Sequence, residues 1–145
     1  MPFAFNKELW ELGRKIEDKT LPLLNKHYDC IFRRNENDIF DILDFKDDET
    51  RKIVEVKGRR ISSDAYEDTI ITASKVTAGY QAIENGYRVY FVFVFTDKIM
   101  EKELLIDNEF KCKWTGTNCI QHYLIPIKEL KEIDVEELNN KSDTT

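Results

Sequence analysis

The chain has 145 residues, with 22 Lys+Arg against 28 Asp+Glu, a formal charge of −6, 41% hydrophobic residues and 12% aromatic residues. That is enough apolar mass for one packed core and too little for two full domains; a chain of this length should bury roughly 68–70% of its unfolded surface. No apolar run reaches about 18 residues, so no membrane-spanning helix is expected, and the acidic balance disfavours loose, sequence-blind coating of nucleic acid.

The first residues, Met1-Pro-Phe-Ala-Phe-Asn6, lack the charged start and long apolar stretch of a secretory signal. Three cysteines (Cys30, Cys112, Cys119) are too sparse and odd in number for a disulfide framework. Both features predict an intracellular protein, cytoplasmic or in a host cell. Leu9, Leu12, Ile16, Leu23 and Leu24 fall at mostly helical spacing and predict a helix over 7–26, with Asn6 as its N-cap. Pro22 is expected to kink or restart that helix. A short strand over 29–34 and a turn at 35–38 follow. Strands over 39–45 and 52–56 are joined by the polar connection 46–51. The stretch 61–72 is ambiguous. Residues 74–85 predict a second helix, with Val76, Tyr80 and Ile83 on one face and Gly86 at its C-terminal cap. Residues 87–95 are apolar on both faces after the first positions, as in a central strand covered on both sides. The stretch 98–117 has no clear pattern; 122–127 predicts the last strand and 128–138 a weak helix. The expectation is one α/β domain over 1–133, a mixed sheet flanked by helices, followed by a polar, frayed tail over 134–145.

The informative stretch runs from Asp41-Ile-Leu-Asp44 to Glu55-Val-Lys57. An acid two before a lysine occurs elsewhere in the chain, but only Glu55 and Lys57 lie on a strand whose neighbours (Ile53, Val54, Val56) read as sheet core. A period of two puts both side chains on one face, where a carboxylate and an ammonium among buried aliphatic residues need a reason to be there. A four-residue loop over 47–50 would pair Lys46 with Arg51, hence Asp44 with Ile53 and Ile42 with Glu55. Asp44 would then share the Glu55–Lys57 face, diagonal to Glu55 at roughly 7–8 Å. A loop one residue shorter would bring Asp41 there instead. Asp44 is the favoured first carboxylate and Asp41 the alternative.

Hard oxygen ligands of this kind suit Mg²⁺ or Mn²⁺, which leave positions for water and substrate phosphate. The metal would bind Asp44, Glu55 and the Val56 carbonyl, lower the pKa of a bound water and offset charge on the phosphate. Lys57 would orient the water or stabilise the transition state. Arg59 and Arg60, just past Gly58, would supply phosphate contacts. The bland alternative is an ordinary ion pair on a half-exposed hairpin.

An aspartate in an apolar–Asp–Phe setting, a hairpin, and then Ile-Val-Glu-Val-Lys followed by Gly-Arg resemble the PD-(D/E)XK nuclease superfamily. The chain is most similar to the small single-domain nuclease-like proteins of phages and large DNA viruses. Gly13-Arg-Lys-Ile-Glu17 is similar to the Gly-x-x-x-Glu of archaeal Holliday-junction resolvases, whose glutamate reaches the metal site. The order Tyr66–Lys75, Phe95-Thr-Asp97, His122-Tyr-Leu-Ile-Pro-Ile looks like that of the viral subgroup, so the likeness spans about residues 13–127. Leu43 stands where the superfamily name would place a proline. The resemblance implies a restriction-endonuclease-like core, Glu17 as a further carboxylate, Lys75 as a phosphate-holding lysine, Tyr66 and Thr69 as substrate contacts, and a viral or phage source.

His27 near Cys30, and Cys112 and Cys119 with His122, have spacings that fit no standard zinc site. No glycine loop cradles phosphate, and the continuous apolarity of 90–95 reads as core rather than a stacking platform. The expected function is a Mg²⁺- or Mn²⁺-dependent nuclease acting on DNA, endonucleolytic and resolvase-like, with RNA left open as a substrate. A homodimer is expected if the target has two strands. The alternatives are a catalytically silent module that binds nucleic acid or protein on a nuclease fold, and a small virion or scaffold protein.

Overall fold

The order of elements places two sheets and two long helices around a pair of cores, and the computed structural model describes residues 7–35, 43–115 and 120–140. Helix α1 (Lys7–Tyr28) runs through Pro22 without a break. The expected restart is absent because Ile16, Leu24 and Tyr28, on both sides of the proline, are anchored in the same core. The missing N–H costs one bond, while the packing holds the axis. Asn6 and the predicted turn at 36–38 lie outside the described residues.

The larger sheet is built from β1 (Arg33–Arg34), β2 (Phe45–Asp47), β3 (Lys52–Gly58), β5 (Arg88–Val94), β6 (Ile99–Leu104) and β9 (Lys131–Ile133), paired in that order. The smaller is β4 (Asp68–Thr72), β8 (Ile120–Pro126) and β7 (Lys111–Thr115), with β8 in the middle. β3 and β5 are parallel and every other pair is antiparallel, so the protein is α/β with a mixed sheet. Helix α2 (Ala73–Glu84) lies between β4 and β5 in the chain and makes the crossover that a parallel pair requires. Its end is a Schellman cap: Gly86, at φ 90°, donates to the Ile83 carbonyl, and the Tyr87 N–H donates to that of Ala82.

β5 is the central strand the sequence predicted. Val89, Phe91 and Phe93 bury toward α2 and the smaller sheet, with Ile53, Ile71, Val76 and Ile125. Tyr90 and Val92 bury toward α1, with Leu24, Tyr28, Val54 and Val56. Each such fully buried side chain contributes about 1.5–3 kcal/mol.

Three expectations need correction. First, β2 and β3 pair Phe45 with Val54, Lys46 with Ile53 and Asp47 with Lys52, so the hairpin loop is 48–51, not 47–50. Asp47 belongs to the strand because its carboxylate accepts from the Thr50 N–H (3.1 Å) and hydroxyl (2.5 Å), starting the turn. The loop closes on Arg51 at φ 56°, whose guanidinium donates to the Asn85 and Gly86 carbonyls. Second, residues 128–138 are not one helix. A 3₁₀ turn (Ile127–Glu129) leads into β9, whose three residues find an open edge on β6. Third, the tail expected from 134 begins as helix α3 (Val135–Asn140), with Leu138 buried against the α1 side of the sheet. Among the described residues, no helix is long and apolar enough to cross a membrane.

Candidate active site

Where β2 ends, the edge of β3 loses its backbone partner, and Asp44 takes over. It sits at a bend just before β2. Its Oδ2 accepts from the Val56 N–H at 2.8 Å, and its own N–H donates to Glu55 Oε1 at 3.1 Å. The true register puts Asp44 opposite Glu55 rather than diagonal to it. Moving the loop by one residue at each end shifts the register by two, so the shared face survives the correction. Because a strand residue's N–H and C=O leave on the same edge, the Val56 carbonyl also faces the Asp44 side.

Glu55 is 1% exposed. Its Oε2 lies 3.3 Å from Lys75 Nζ, at the start of α2, and 3.8 Å from Lys57 Nζ, two residues along β3. Both lysines are partly exposed. Glu17 reaches the same place from α1, near enough that its carboxyl and that of Asp44 shift each other's pKa, and its Oε1 accepts from Arg34 at 2.7 Å. Arg34 also holds Asp18 at 2.7 Å and lies over the Phe45 ring.

Three carboxyl groups crowd together here, largely shielded from solvent. Burial above all, and then the charge of Glu55, push the Asp44 pKa up to about 6, against the pull of the Val56 N–H, Lys75 and Glu17. Burial raises Glu55 as well, opposed by Lys75 and Lys57. Glu17 is raised by burial and then by Asp44. All three carboxyl groups therefore bind protons more tightly than free side chains do.

Among the described residues, no three His, Cys, Asp or Glu side chains form a group that could hold a metal ion as they stand; Glu17 is drawn toward Arg34. Asp44, Glu55 and the Val56 carbonyl nevertheless present hard oxygens. Two carboxylates with room for water and phosphate are the donor set that Mg²⁺ and Mn²⁺ take in nucleotide chemistry. In charge and donor type, these residues fit such an ion.

The structure thus brings Glu17, Asp44, Glu55, Lys57 and Lys75 together. Asp41 lies outside the described residues. Arg59 is not an open phosphate contact. Its Nε donates to Thr69 Oγ1 at 3.3 Å, its Nη2 donates to the Ile70 carbonyl, and its guanidinium lies over Phe93. Thr69 is buried as that acceptor, so the pair braces the end of β3 to β4. Arg60 and Tyr66 are exposed. Arg34 was missed: two adjacent arginines on a two-residue strand carry no sequence signal that one of them will clasp a helix. His27 lies 2.5 Å from Glu101, to which Tyr28 also donates, and His122 lies on the smaller sheet with its ring nitrogen 2.9 Å from the Ile120 carbonyl. Cys30 is half-buried and Cys112 exposed; Cys119 lies outside the described residues.

Comparison of the chain with models of known protein families, with curated proteins and with solved structures finds no match.

Proposed function

We propose that the protein is a Mg²⁺- or Mn²⁺-dependent nuclease that hydrolyses phosphodiester bonds in DNA, cutting endonucleolytically, on a restriction-endonuclease-like core. One observation carries this reading: a fully buried glutamate held between two lysines and accepting from the N–H of Asp44, whose own carboxyl pKa is raised. Buried ionisable groups are costly, and perturbed ones gather where chemistry is done. The sequence of helix, antiparallel hairpin, crossover helix and parallel strand supports the same fold.

Asp44, Glu55 and the Val56 carbonyl would hold the metal, with Glu17 joining once released from Arg34. When bound, the ion would polarise the scissile phosphate and lower the pKa of the attacking water. Lys57 orients that water from the open end of the β3 face. Lys75 meets a non-bridging oxygen of the phosphate and offsets its developing charge. Glu55 fixes both ammonium groups in place. A duplex or junction target would engage two copies, each cutting one strand.

The second reading, a silent module that binds nucleic acid or protein, is favoured by the Arg34–Glu17 ion pair, which occupies one carboxylate with a protein cation. Calorimetric titration of Mn²⁺ into the protein with DNA present separates the two. Saturable binding, lost in Asp44→Asn, supports the nuclease. No binding of Mn²⁺ or Mg²⁺ at millimolar concentration leaves the module.

A further inference from the structure

Glu55 and Lys57 share one face of β3, and Arg59, the residue after its end, follows at the same two-residue spacing and lines a groove of about 530 Å³. Two strand residues span roughly 6.6 Å, so the backbone of Arg59, the groove's lining residue nearest the site in sequence, lies about that far beyond Lys57. Ile61, Tyr66, Ile70 and Leu124 line it, together with Arg59 and Lys113. Ile70 and Leu124 face each other across the β4–β8 pair, and Lys113 sits one strand further out on β7.

The groove is preformed. The segment from Arg59 to Glu67 is tied to the sheets along its length. The Arg59 N–H donates to the Val94 carbonyl at 2.8 Å, and the Ile61 carbonyl accepts from the Thr96 N–H at 3.0 Å. The Ser63 N–H and hydroxyl both donate to the Asp97 carboxylate (2.8 and 2.7 Å), and the Glu67 carbonyl accepts from the Ile127 N–H. On this fixed frame Tyr66 is 69% exposed and Ile61 38%, an aromatic ring and an aliphatic side chain held out at the groove mouth.

The charge around the groove identifies its occupant. Arg59 and Lys113 are matched in number by Glu67 and Asp68 in the same lining, so there is no net positive charge to hold a phosphate backbone. A groove lined by apolar side chains, an exposed aromatic ring, and both donors and acceptors is suited to a nucleobase: the ring stacks on its face, and the carboxylates accept from its amino groups. A base can enter only if it is out of a double helix.

We propose that this groove takes one unpaired nucleobase next to the scissile phosphate, so that the DNA cut is single-stranded, frayed or branched at that point. The inference rests on the nuclease reading for its substrate but makes a separate claim about binding. The test is fluorescence anisotropy in EDTA, where no cutting occurs, with a labelled single-stranded oligonucleotide and a fully paired duplex of the same sequence. Wild type binds the single strand more tightly than the duplex. Tyr66→Ala weakens single-strand binding by about fivefold or more, the scale of one lost stacking contact, and leaves duplex binding unchanged; Tyr66→Phe restores it. Equal single-strand binding by wild type and Tyr66→Ala, or equal loss on both substrates, overturns the proposal. A Mn²⁺-dependent cleavage assay run in parallel keeps the two claims apart: cutting with no effect of Tyr66→Ala on binding removes only the groove, and no DNA binding and no cutting by wild type removes both.

Discussion

Asp44 is a short acidic side chain at a bend, and its surroundings decide its chemistry. The Val56 N–H favours its charged form; burial and the Glu55 carboxylate disfavour it more strongly, and its pKa rises to about 6. A carboxyl whose folded-state value lies above its unfolded one binds protons more tightly in the folded protein. Its contribution to stability is therefore full below about pH 4 and is lost as pH rises through about 6. Asp44→Asn removes that loss. Without metal, the variant should be more stable than wild type at pH 8, by on the order of 1–3 kcal/mol at 1.36 kcal/mol per pKa unit. The gain should vanish near pH 4, as thermal melts at the two pH values will show. The same substitution should cost metal-dependent cleavage a factor of about 10² or more, whereas Asp41→Asn should change cleavage little. A dead Asp41→Asn beside an active Asp44→Asn would move the first carboxylate to Asp41. Glu55 and Lys57 were legible in the sequence because charge on an otherwise aliphatic strand stands out. Arg34 was not, because its partners, Glu17 and Asp18, come from a helix 16 and 17 residues away.

The elements were legible where periodicity was strong. Helix α2 and strand β5 fall within one or two residues of their expected bounds, because a helical stripe ending in Gly86 and a run of two-faced apolar residues each admit one reading. The hairpin loop was misplaced by one residue because Asp47 looks like a loop residue by composition, while its side chain acts as the turn's first acceptor. β7 and β9 escaped because short edge strands carry little alternation, and their pairing is settled by open edges on β8 and β6. How α2 is seated matters for the site, since it carries Lys75. It packs through Gly79, where an added Cβ would meet Leu104 Cδ2 at 2.5 Å. Leu104 is 2% exposed and has nowhere to go. Gly79→Val should therefore destabilise the fold by about 1–3 kcal/mol, the usual cost of overpacking, despite removing a helix glycine. Denaturant midpoints will show it, and an unchanged midpoint would mean that α2 is not seated as described.

At the scale of the molecule, the parallel β3–β5 pair and its crossover bring the start of α2 onto the open end of β3, while α1 delivers Glu17 from the opposite face of the sheet. Five chemistry-bearing side chains thus converge from three elements and one bend, in a chain whose overall charge is −6 and whose two nearest lysines both point at one glutamate. The direct test compares wild type with Glu55→Gln on labelled duplex, junction, single-stranded and RNA substrates, with Mn²⁺ and with EDTA. Glu55→Gln keeps the shape and an acceptor for the Asp44 N–H, and relieves a buried carboxylate, so its melting temperature should hold or rise. Wild type should cut at least one DNA substrate with Mn²⁺ and none with EDTA, and folded Glu55→Gln should cut none. Cleavage retained by Glu55→Gln, or wild type inert on every substrate with Mn²⁺ present, would contradict the assignment of this cluster as a nuclease active site.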